Sequence, residues 1–369
     1  MAIQKQLEAK NPNKQRNLIL SAIAVAALII TLIFAEAWWG RYVVRILNLC
    51  AIYAICALAM NLVNGFTGLF TLGNTGFMAI GAYTTALLVM TPEAKAANFY
   101  LEPIVPFLAD IQIPFLPALI MGGLLAAAAA FLIGFPVLRL KGDYLAIATL
   151  GFSEIIRILI TNAQSLTNGS LGLKNISVKI NLWWTFIPLA VVTVFMLLMM
   201  KTSYGRALKA IREDEIAAES MGISLFSHKM LAFILSGFFA GVAGGLLGAL
   251  VGAVDPLQFR FIQNYTILLM VVLGGLGSIS GSIVGAFIVT IAQEALRFMD
   301  EPIELIGYPG IAGMRMVVFS LMLILIILFW SRGLFGTNEF GWDWLIDGCK
   351  SLFGKLTGKS KKTAGGDAK

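Results

Sequence analysis

Charged residues are scarce in this sequence. Asp, Glu, Lys and Arg make up 13% of its 369 residues, whereas an average soluble domain carries roughly 25%. Hydrophobic residues make up 59%, and the mean hydropathy is +0.86. A water-soluble fold of this length could not bury so much apolar surface, whereas a bilayer solvates it. The composition therefore excludes an ordinary soluble domain and indicates an integral membrane protein.

Cysteine and histidine are nearly absent. Cys50, Cys56 and Cys349 show neither the spacing of a metal site nor that of a disulfide framework. Cys50 and Cys56 lie in one apolar stretch and are expected to act as small hydrophobic residues. The single histidine, His228, begins an apolar run beside Lys229. No second ligand accompanies it, so an interfacial role is favoured over metal binding or catalysis, and no metal site is predicted.

The net charge of +7 would by itself suit a nucleic-acid partner. The basic residues, however, crowd the two ends of the chain and one central loop. Cytoplasmic flanks of membrane spans have this distribution. We therefore expect contact with membrane lipid and no nucleic-acid partner.

Apolar segments of about 20 residues recur, a length typical of transmembrane helices and too long for barrel strands. Backbone groups in lipid must be satisfied within each segment, so the sequence predicts an all-α fold, a polytopic transmembrane helical bundle. The first segment exceeds the core of a signal peptide and is predicted to be a retained span. About ten spans are predicted, at 17–39, 42–63, 69–91, 113–139, 144–160, 182–200, 229–252, 262–279, 281–298 and 309–331.

The charges of the connecting loops orient these spans. Lys141 and the connection 201–228 are basic, whereas the connections 92–112 and 299–308 carry acidic residues. By the positive-inside rule, ten crossings place both termini in the cytoplasm. The predicted regions are a cytoplasmic N-terminal segment at 1–16, a transmembrane domain at 17–335 and a cytoplasmic tail with a disordered end at 336–369.

Two glycine-rich stretches, at 64–76 and 273–282, interrupt the spans at similar places in the two halves of the chain. Paired interruptions of this kind predict broken helices around a transport path. Small-residue packing faces and tight turns are the alternative, and they are common in any helical bundle. The candidates for a translocation path, here and in span 144–160, are Gly65, Gly68, Asn74, Gly76, Thr149, Glu154, Gly274, Gly275 and Gly277.

Span 144–160 also carries two charged residues, Glu154 and Arg157. Charges at that depth are costly and are therefore candidates for function. The two residues are three apart and share one helix face, so a mutual ion pair that relieves burial is the favoured interpretation. A gate or a subunit contact is the alternative.

The strongest signal is the segment 203–227, the longest polar insertion between apolar spans. Its apolar residues Tyr204, Leu208 and Ile211, then Ala218 and Met221, recur at helical spacing, with charges on the other side. We expect Asp214 to cap a second short helix that Gly222 ends. A long, ordered cytoplasmic segment indicates a surface that docks on a partner. An amphipathic helix on lipid headgroups is the alternative.

The sequence Glu-Ile-Ala-Ala-Glu-Ser-Met-Gly at 215–222 resembles the EAA loop through which permeases of ATP-binding cassette (ABC) importers contact their ATPases. Ala217, Ala218 and Gly222 match the spacing of that loop, whereas Ile216 holds the Glu position and Glu215 comes one residue early. The likeness covers roughly 45–335. Further segments are similar to the M-type permease of branched-chain amino acid (Liv-type) ABC importers: 205–213, 140–152, 168–173, 272–278 and 332–335.

The resemblance implies a heteromeric importer in a bacterial inner (plasma) membrane. A sister permease subunit completes the path, two cytoplasmic ABC ATPases drive it, and a periplasmic or extracytoplasmic binding protein delivers the amino acid. The chain is expected to be a transport subunit rather than an enzyme. It needs no cofactor, since partner subunits bind the ATP and this sequence has no Gly-x-x-x-x-Gly-Lys-Ser/Thr motif. The residues expected to couple to the ATPases are Tyr204, Gly205, Arg206, Ala207, Lys209, Arg212, Glu215, Ala217, Ala218 and Gly222.

The expected cargo is a branched-chain or other neutral amino acid, and the alternative within the importer class is urea or a short amide. A proton-coupled secondary transporter would use Glu154 or Glu294, but the docking-type central loop argues against it. A membrane enzyme would need a His cluster, a metal spacing or a nucleophile–base pair, none of which is found.

Overall fold

The computed structural model describes residues 38–140, 142–300 and 313–329, together with Arg16, Thr31, Leu32, Phe34, Gly333, Leu334 and Gly336. The predicted segment 1–16, the first predicted span 17–39 and the predicted tail 336–369 lie outside these residues, apart from the few just named. The chain divides into two units, one formed by Trp39–Asn338 and the other by the two ends. The fold below is that of the unit Trp39–Asn338.

Helices make up almost all of this unit. They are α1 (Arg41–Asn61), α2 (Asn74–Val89), α3 (Pro92–Asn98), α4 (Pro106–Ala109), α5 (Phe115–Val137), α6 (Asp143–Asn162), α7 (Gln164–Thr167), α8 (Leu182–Lys201), α9 (Ser203–Glu213), α10 (Glu215–Ser220), α11 (Leu225–Val251), α12 (Phe261–Gly274), α13 (Ile279–Ala295) and α14 (Met314–Phe329). A π-helical turn extends α1 over Leu62–Phe66, and 3-10 turns occupy Gly169–Leu171, Pro256–Phe259 and Leu296–Met299.

Among the described residues, five helical stretches are long and apolar enough to cross a membrane. They are Arg41–Phe66, Phe115–Val137, Asp143–Asn162, Leu182–Lys201 and Leu225–Val251. Helices α12 and α13 are apolar but shorter. Each predicted span from 42–63 onward overlaps a helix in the described part of the chain, so the prediction of an all-α membrane helical bundle is confirmed.

Helix α11 lies at the centre of the bundle and packs on α1, α2 and α5. Its glycines bring the backbones of two helices into direct contact: a Cβ at Gly81 of α2 would lie 2.0 Å from the carbonyl oxygen of Gly241. Small residues at such positions let membrane helices approach closely, where van der Waals packing holds them together. Cys50 and Cys56 of α1 are buried and unpaired, as expected of small hydrophobic residues.

A buried lysine fastens the long connection between α2 and α5. The Nζ atom of Lys95 donates to the carbonyl oxygens of Leu108, at 2.7 Å, and Ile111, at 2.5 Å. Burial lowers the pKa of Lys95, and the nearby carboxylate of Asp110 opposes that shift. This connection lies at the same end of the bundle as the short sheet, in which β1 (Leu173–Lys174) pairs antiparallel with β2 (Ala253–Val254).

Candidate functional site: the coupling segment and the glycine breaks

The polar segment 203–227 folds as two short helices, α9 and α10, followed by the start of α11. Asp214 caps α10, since its Oδ1 accepts hydrogen bonds from the amides of Ile216 at 2.8 Å and Ala217 at 3.0 Å. Gly222 ends the helix with a φ of +83°, and the amide of Ile223 donates to the carbonyl of Ala218. The predicted second helix, its cap and its glycine terminus are confirmed.

One side of this segment faces the bundle. Leu208, Ile211 and Ala218 are buried, as their helical spacing indicates. Met221 follows the same spacing but is 83% exposed, because α10 ends at Ser220 and the chain turns away. The other expected coupling residues also divide by burial. Gly205 is buried in the first turn of α9 and Ala207 is half-buried, whereas Arg206, Lys209 and Ala217 are exposed.

Tyr204 connects the first turn of α9 to the first turn of α11. Its ring stacks on His228 with the centroids 4.5 Å apart, and its hydroxyl donates to the carbonyl of Ser227 at 3.2 Å. Burial raises the pKa of Tyr204 to about 12, so the hydroxyl stays a neutral donor at physiological pH. His228 therefore has a packing partner, and no group of three or more metal-ligating side chains occurs among the described residues.

Glu215, the acidic residue of the EAA-like sequence, forms an ion pair within the chain. Its Oε1 lies 2.7 Å from the Nζ of Lys229, whose side chain is only 9% exposed. The pair holds α10 against α11 beside a groove of about 520 Å³ that Arg139 also lines. Ile216, which stands where the general pattern has Glu, is 78% exposed and faces outward beside it. The more exposed of the two side chains is thus the apolar Ile216, whereas the Glu215 carboxylate, 40% exposed, is paired within the chain.

The first glycine stretch contains the non-helical connection between α1 and α2. After the π-helical turn Leu62–Phe66, residues 67–73 are not helical, and α2 starts at Asn74. Asn64 closes this loop, donating from Nδ2 to the carbonyl of Thr71 at 3.1 Å and accepting from the Thr71 amide at 3.2 Å. The predicted span 69–91 is therefore helical only from residue 74.

The second glycine stretch is a tight turn between α12 and α13. Gly275 and Gly277 have φ values of +117° and +86°, and a Cβ at Gly274 would lie 2.1 Å from the carbonyl oxygen of Gly281. At this position the alternative interpretation, a tight turn with small-residue packing, describes the geometry. Helix α12 has 14 residues, so it is about 21 Å long and shorter than a hydrocarbon core of about 30 Å.

The two glycine stretches, called the first and second glycine breaks below because each separates two helices, contact each other. The amide of Gly277 donates to Asn61 Oδ1 at 2.9 Å, and Asn61 Nδ2 donates to the carbonyl of Ser278 at 2.9 Å. A Cβ at Gly65 would lie 2.4 Å from the Gly277 nitrogen, so only glycine permits this approach. We call Asn61, Gly65, Gly68, Gly277 and Ser278 the glycine junction. Asn61 was not among the residues predicted from the sequence, because only its side-chain amide within an apolar run distinguishes it there.

A second group of buried polar residues lies where α2 begins. The amide of Thr75 donates to Asn264 Oδ1 at 3.0 Å, and the hydroxyls of Thr75 and Ser153 are 3.0 Å apart. Two predicted path residues belong to this group: Asn74 donates to the carbonyl of Cys56, and Thr149 Oγ1 accepts from the Leu72 amide. The group joins α1, α2, α6 and α12 through uncharged side chains.

Two further path candidates sit in helix contacts. Gly76 packs against Ser153 of α6, where an added Cβ would lie 3.0 Å from the Ser153 Cα. Glu154 pairs with Arg157 at 2.7 Å, as expected, and its other oxygen accepts from the Phe261 amide at 3.0 Å. A carboxylate at a helix N-terminus is stabilising, so Glu154 anchors α12 to α6. The sequence did not reveal this contact, because Phe261 is distant along the chain.

Glu294, the other residue considered for proton coupling, also has partners. Its Oε1 accepts from the Tyr42 hydroxyl at 2.9 Å and from Arg297 at 3.2 Å.

Comparison with known proteins identifies the family. A family model described as the permease component of the branched-chain amino acid transport system matches residues 42–327. The chain is 38% identical over 311 residues to the high-affinity branched-chain amino acid transport system permease protein LivM of Escherichia coli (strain K12), a match that covers 74% of this chain and 69% of that protein.

The LivM protein of Salmonella typhimurium (strain LT2) shows the same identity and coverage. The permease protein LivH of Escherichia coli (strain K12), named for the same transport system, is 26% identical over 308 residues, which is 78% of this chain and 92% of LivH. The resemblance to M-type permeases is therefore confirmed, and the protein is a transport component. The chain belongs to the family of permease components of branched-chain amino acid transport systems.

Proposed function

We propose that this chain forms half of the translocation path of an ABC importer for branched-chain or other neutral amino acids. The coupling segment α9–α10 carries the proposal. It is a folded helix pair whose caps and ion pair fix its shape, and it presents Ile216 and Ala217 outward. The names of the matching relatives support the cargo.

The contact with the ATPases is apolar at its centre. Ile216 and Met221 are 78% and 83% exposed, and large exposed apolar side chains in a polar segment indicate a protein partner. Glu215 is paired with Lys229 and serves to hold the orientation of α10. The ATPases bind the ATP, so the permease itself has no cofactor.

The translocation path runs beside the glycine junction and the polar group around Thr75. A zwitterionic neutral amino acid needs hydrogen-bonding groups and no fixed counter-ion, and uncharged amide and hydroxyl groups line this region. The carboxylate of the amino acid would approach backbone amides at the breaks, as in other carriers with broken helices. Gly65, Gly68, Asn74, Gly76, Thr149, Gly274, Gly275 and Gly277 then border the path.

The proposed topology has ten crossings with both termini in the cytoplasm of a bacterial inner membrane. It places α9–α10 and the glycine junction on the cytoplasmic side, and the short sheet with the Lys95-fastened connection on the outer side. The contact between Arg212 and Gly65 supports the first grouping, and the basic character of 201–228 supports its orientation.

The remaining partners are a sister permease, two cytoplasmic ABC ATPases and an extracytoplasmic amino-acid-binding protein. The similarity to both LivM and LivH supports a paired permease, since both relatives are named for one transport system. We expect no nucleic-acid partner, since the basic residues flank membrane spans.

The decisive experiment is uptake of labelled leucine into liposomes that contain the permease pair, with and without the ATPases, in the presence of the binding protein. We expect uptake only with both ATPases and ATP, no effect of a protonophore, and no competition by urea. Uptake without ATPases, or its collapse with the proton gradient, would contradict the proposal. Effective competition by urea would reassign the cargo.

A matched pair of variants tests the docking surface. Ile216→Asp places a charge on the exposed centre of the coupling segment, and we expect it to abolish co-purification of the ATPases. Leu257→Asp changes a similarly exposed residue, 58% exposed, in the connection between β2 and α12, and we expect it to leave co-purification intact. Deletion of 217–222 should act like Ile216→Asp, and normal ATPase binding by either variant would sink the docking role.

A further inference from the structure

Arg212 connects the coupling segment to the glycine junction. It lies in the last turn of α9, and its side chain is 25% exposed, whereas that of Glu213 is 73% exposed. Its Nη1 donates to the carbonyl oxygen of Gly65 at 3.1 Å, while Nη2 and Nε contact Glu213 Oε1 at 2.7 and 3.3 Å. One guanidinium group therefore reaches from the coupling segment to the π-helical turn that ends α1.

The same side chain packs on the two other glycines of the junction. A Cβ at Gly68 would lie 2.8 Å from Arg212 Cγ, and a Cβ at Gly277 would lie 2.6 Å from Arg212 Nη1. Gly65 and Gly68 belong to the first break and Gly277 to the second. Arg212 thus touches both breaks at once, and the space it fills exists because Gly68 and Gly277 lack side chains.

The rest of α9 supports this contact. One turn earlier, the Nζ of Lys209 lies 6.0 Å from the centre of the Phe66 ring, at the outer limit of a cation–π interaction. Leu208 and Ile211 are buried beneath the helix. Helix α9 therefore rests on the π-helical turn Leu62–Phe66, and any displacement of the coupling segment acts on that turn directly.

We propose that Arg212 is a positioning residue that transmits movement of the coupling segment to both glycine breaks, and that it is not a contact for the ATPases. The inference rests on the proposed function, since the ATPases supply the movement. Asn61 ties Gly277 and Ser278 to the end of α1, so displacement of the Gly65 carbonyl is felt by both breaks. A charged donor makes a stronger hydrogen bond than a neutral one. The bond from Arg212 to the Gly65 carbonyl is therefore suited to persist while the coupling segment moves.

The test uses the whole importer in liposomes and measures amino acid uptake per ATP hydrolysed. In Arg212→Gln the ATPases should co-purify normally and hydrolyse ATP, while uptake per ATP falls roughly tenfold, the expected effect of losing one charged hydrogen bond. Arg212→Lys keeps a charged donor and should restore part of the ratio. Arg260→Gln is the matched control: this arginine is exposed and lies outside both the coupling segment and the glycine junction, so the ratio should not change.

A second variant changes the glycine side of the contact between Arg212 and the glycine junction. Gly68→Ala puts a methyl group 2.8 Å from Arg212 Cγ and leaves the outward surface of the coupling segment untouched. We expect it to lower uptake per ATP as Arg212→Gln does. The two changes combined should cost little more than either alone, because residues that act through one contact are not additive.

Each other outcome overturns the inference. An unchanged ratio in Arg212→Gln would show that the contact transmits nothing. Loss of ATPases from Arg212→Gln but not from Arg260→Gln would make Arg212 a docking residue. Failure of both Arg212→Gln and Arg212→Lys to yield monodisperse protein would assign the residue to folding alone. The proposed function fails by a separate result, uptake by the unaltered permease pair without ATPases.

Discussion

Replacing Asn61 by Leu removes the polar groups that join the two glycine breaks while keeping the branching and the number of heavy atoms of the side chain. Asn61 makes three buried hydrogen bonds: Oδ1 with the Gly277 amide at 2.9 Å, and Nδ2 with the Ser278 carbonyl at 2.9 Å and the Ser282 hydroxyl at 2.8 Å. Leucine offers none of them. The buried Gly277 amide would then lose its acceptor, whereas the Ser278 carbonyl still accepts from the Ser282 hydroxyl at 3.0 Å.

The magnitude follows from these three bonds. Interhelical hydrogen bonds in membrane proteins average about 0.6 kcal/mol in double-mutant cycles, so the lost bonds alone account for about 2 kcal/mol. A buried backbone group left unsatisfied costs about 1–3 kcal/mol, which brings the expected loss to about 3–5 kcal/mol. This is a large fraction of the 5–15 kcal/mol by which proteins are typically stable.

Unfolding of the purified permease in mixed micelles at rising dodecyl sulfate concentration measures this loss. The control is Asn162→Leu, because Asn162 is exposed on α6 and its amide donates only to the Ile158 carbonyl of its own helix. We expect the control to change the free energy of unfolding by less than about 0.5 kcal/mol. A loss below about 1 kcal/mol in Asn61→Leu, or an equal loss in both variants, would refute the argument that Asn61 holds the breaks together.

Three further variants test other parts of the structure. Glu154→Gln removes the carboxylate that pairs with Arg157 and caps α12. We expect the free energy of unfolding to fall by about 1–3 kcal/mol and the pH profile of uptake to stay unchanged. A shifted pH profile would instead support proton coupling. Lys95→Met deprives two loop carbonyls of their donor and should speed proteolysis of residues 90–114, while Lys179→Met, at an exposed position, should not. Gly81→Val forces a side chain into the Gly241 backbone of α11, so folded protein should be lost on gel filtration, unlike with Gly40→Val, where the space is open.

Local sequence signals were sufficient for the helices and their ends. Apolar runs of about 20 residues predicted the spans, and the caps at Asp214 and Gly222 were predicted because a side-chain acceptor and a positive φ act within one turn. The glycine stretch 64–76 was recognised as a helix break for the same reason. Each of these features depends on residues only a few positions apart.

Contacts between distant segments were not predictable in this way. Helical periodicity put Arg212 on the charged side of α9, yet its guanidinium bonds Gly65, which lies 147 residues away in sequence. Glu154 was expected to pair with Arg157, but its cap on α12 depends on how two helices pack. Met221 kept the apolar spacing and still became exposed, since spacing does not reveal where a helix turns away from the core.

The uncharged character of the glycine junction bears on how the importer would switch. In a membrane interior, hydrogen bonds between neutral groups contribute about 0.6 kcal/mol each and at most about 1.7 kcal/mol. The three bonds of Asn61 and the three of Thr75 can therefore separate at a cost of a few kcal/mol. Ion pairs in the same place would resist separation far more strongly, because each unpaired charge would stay buried. Arg212, whose charged guanidinium contacts the junction, lies on the coupling segment rather than in a span. The strongest hydrogen bond at the glycine junction, that of Arg212, is therefore made by the coupling segment, which the ATPases would move. The weaker neutral bonds lie between the helices that must separate.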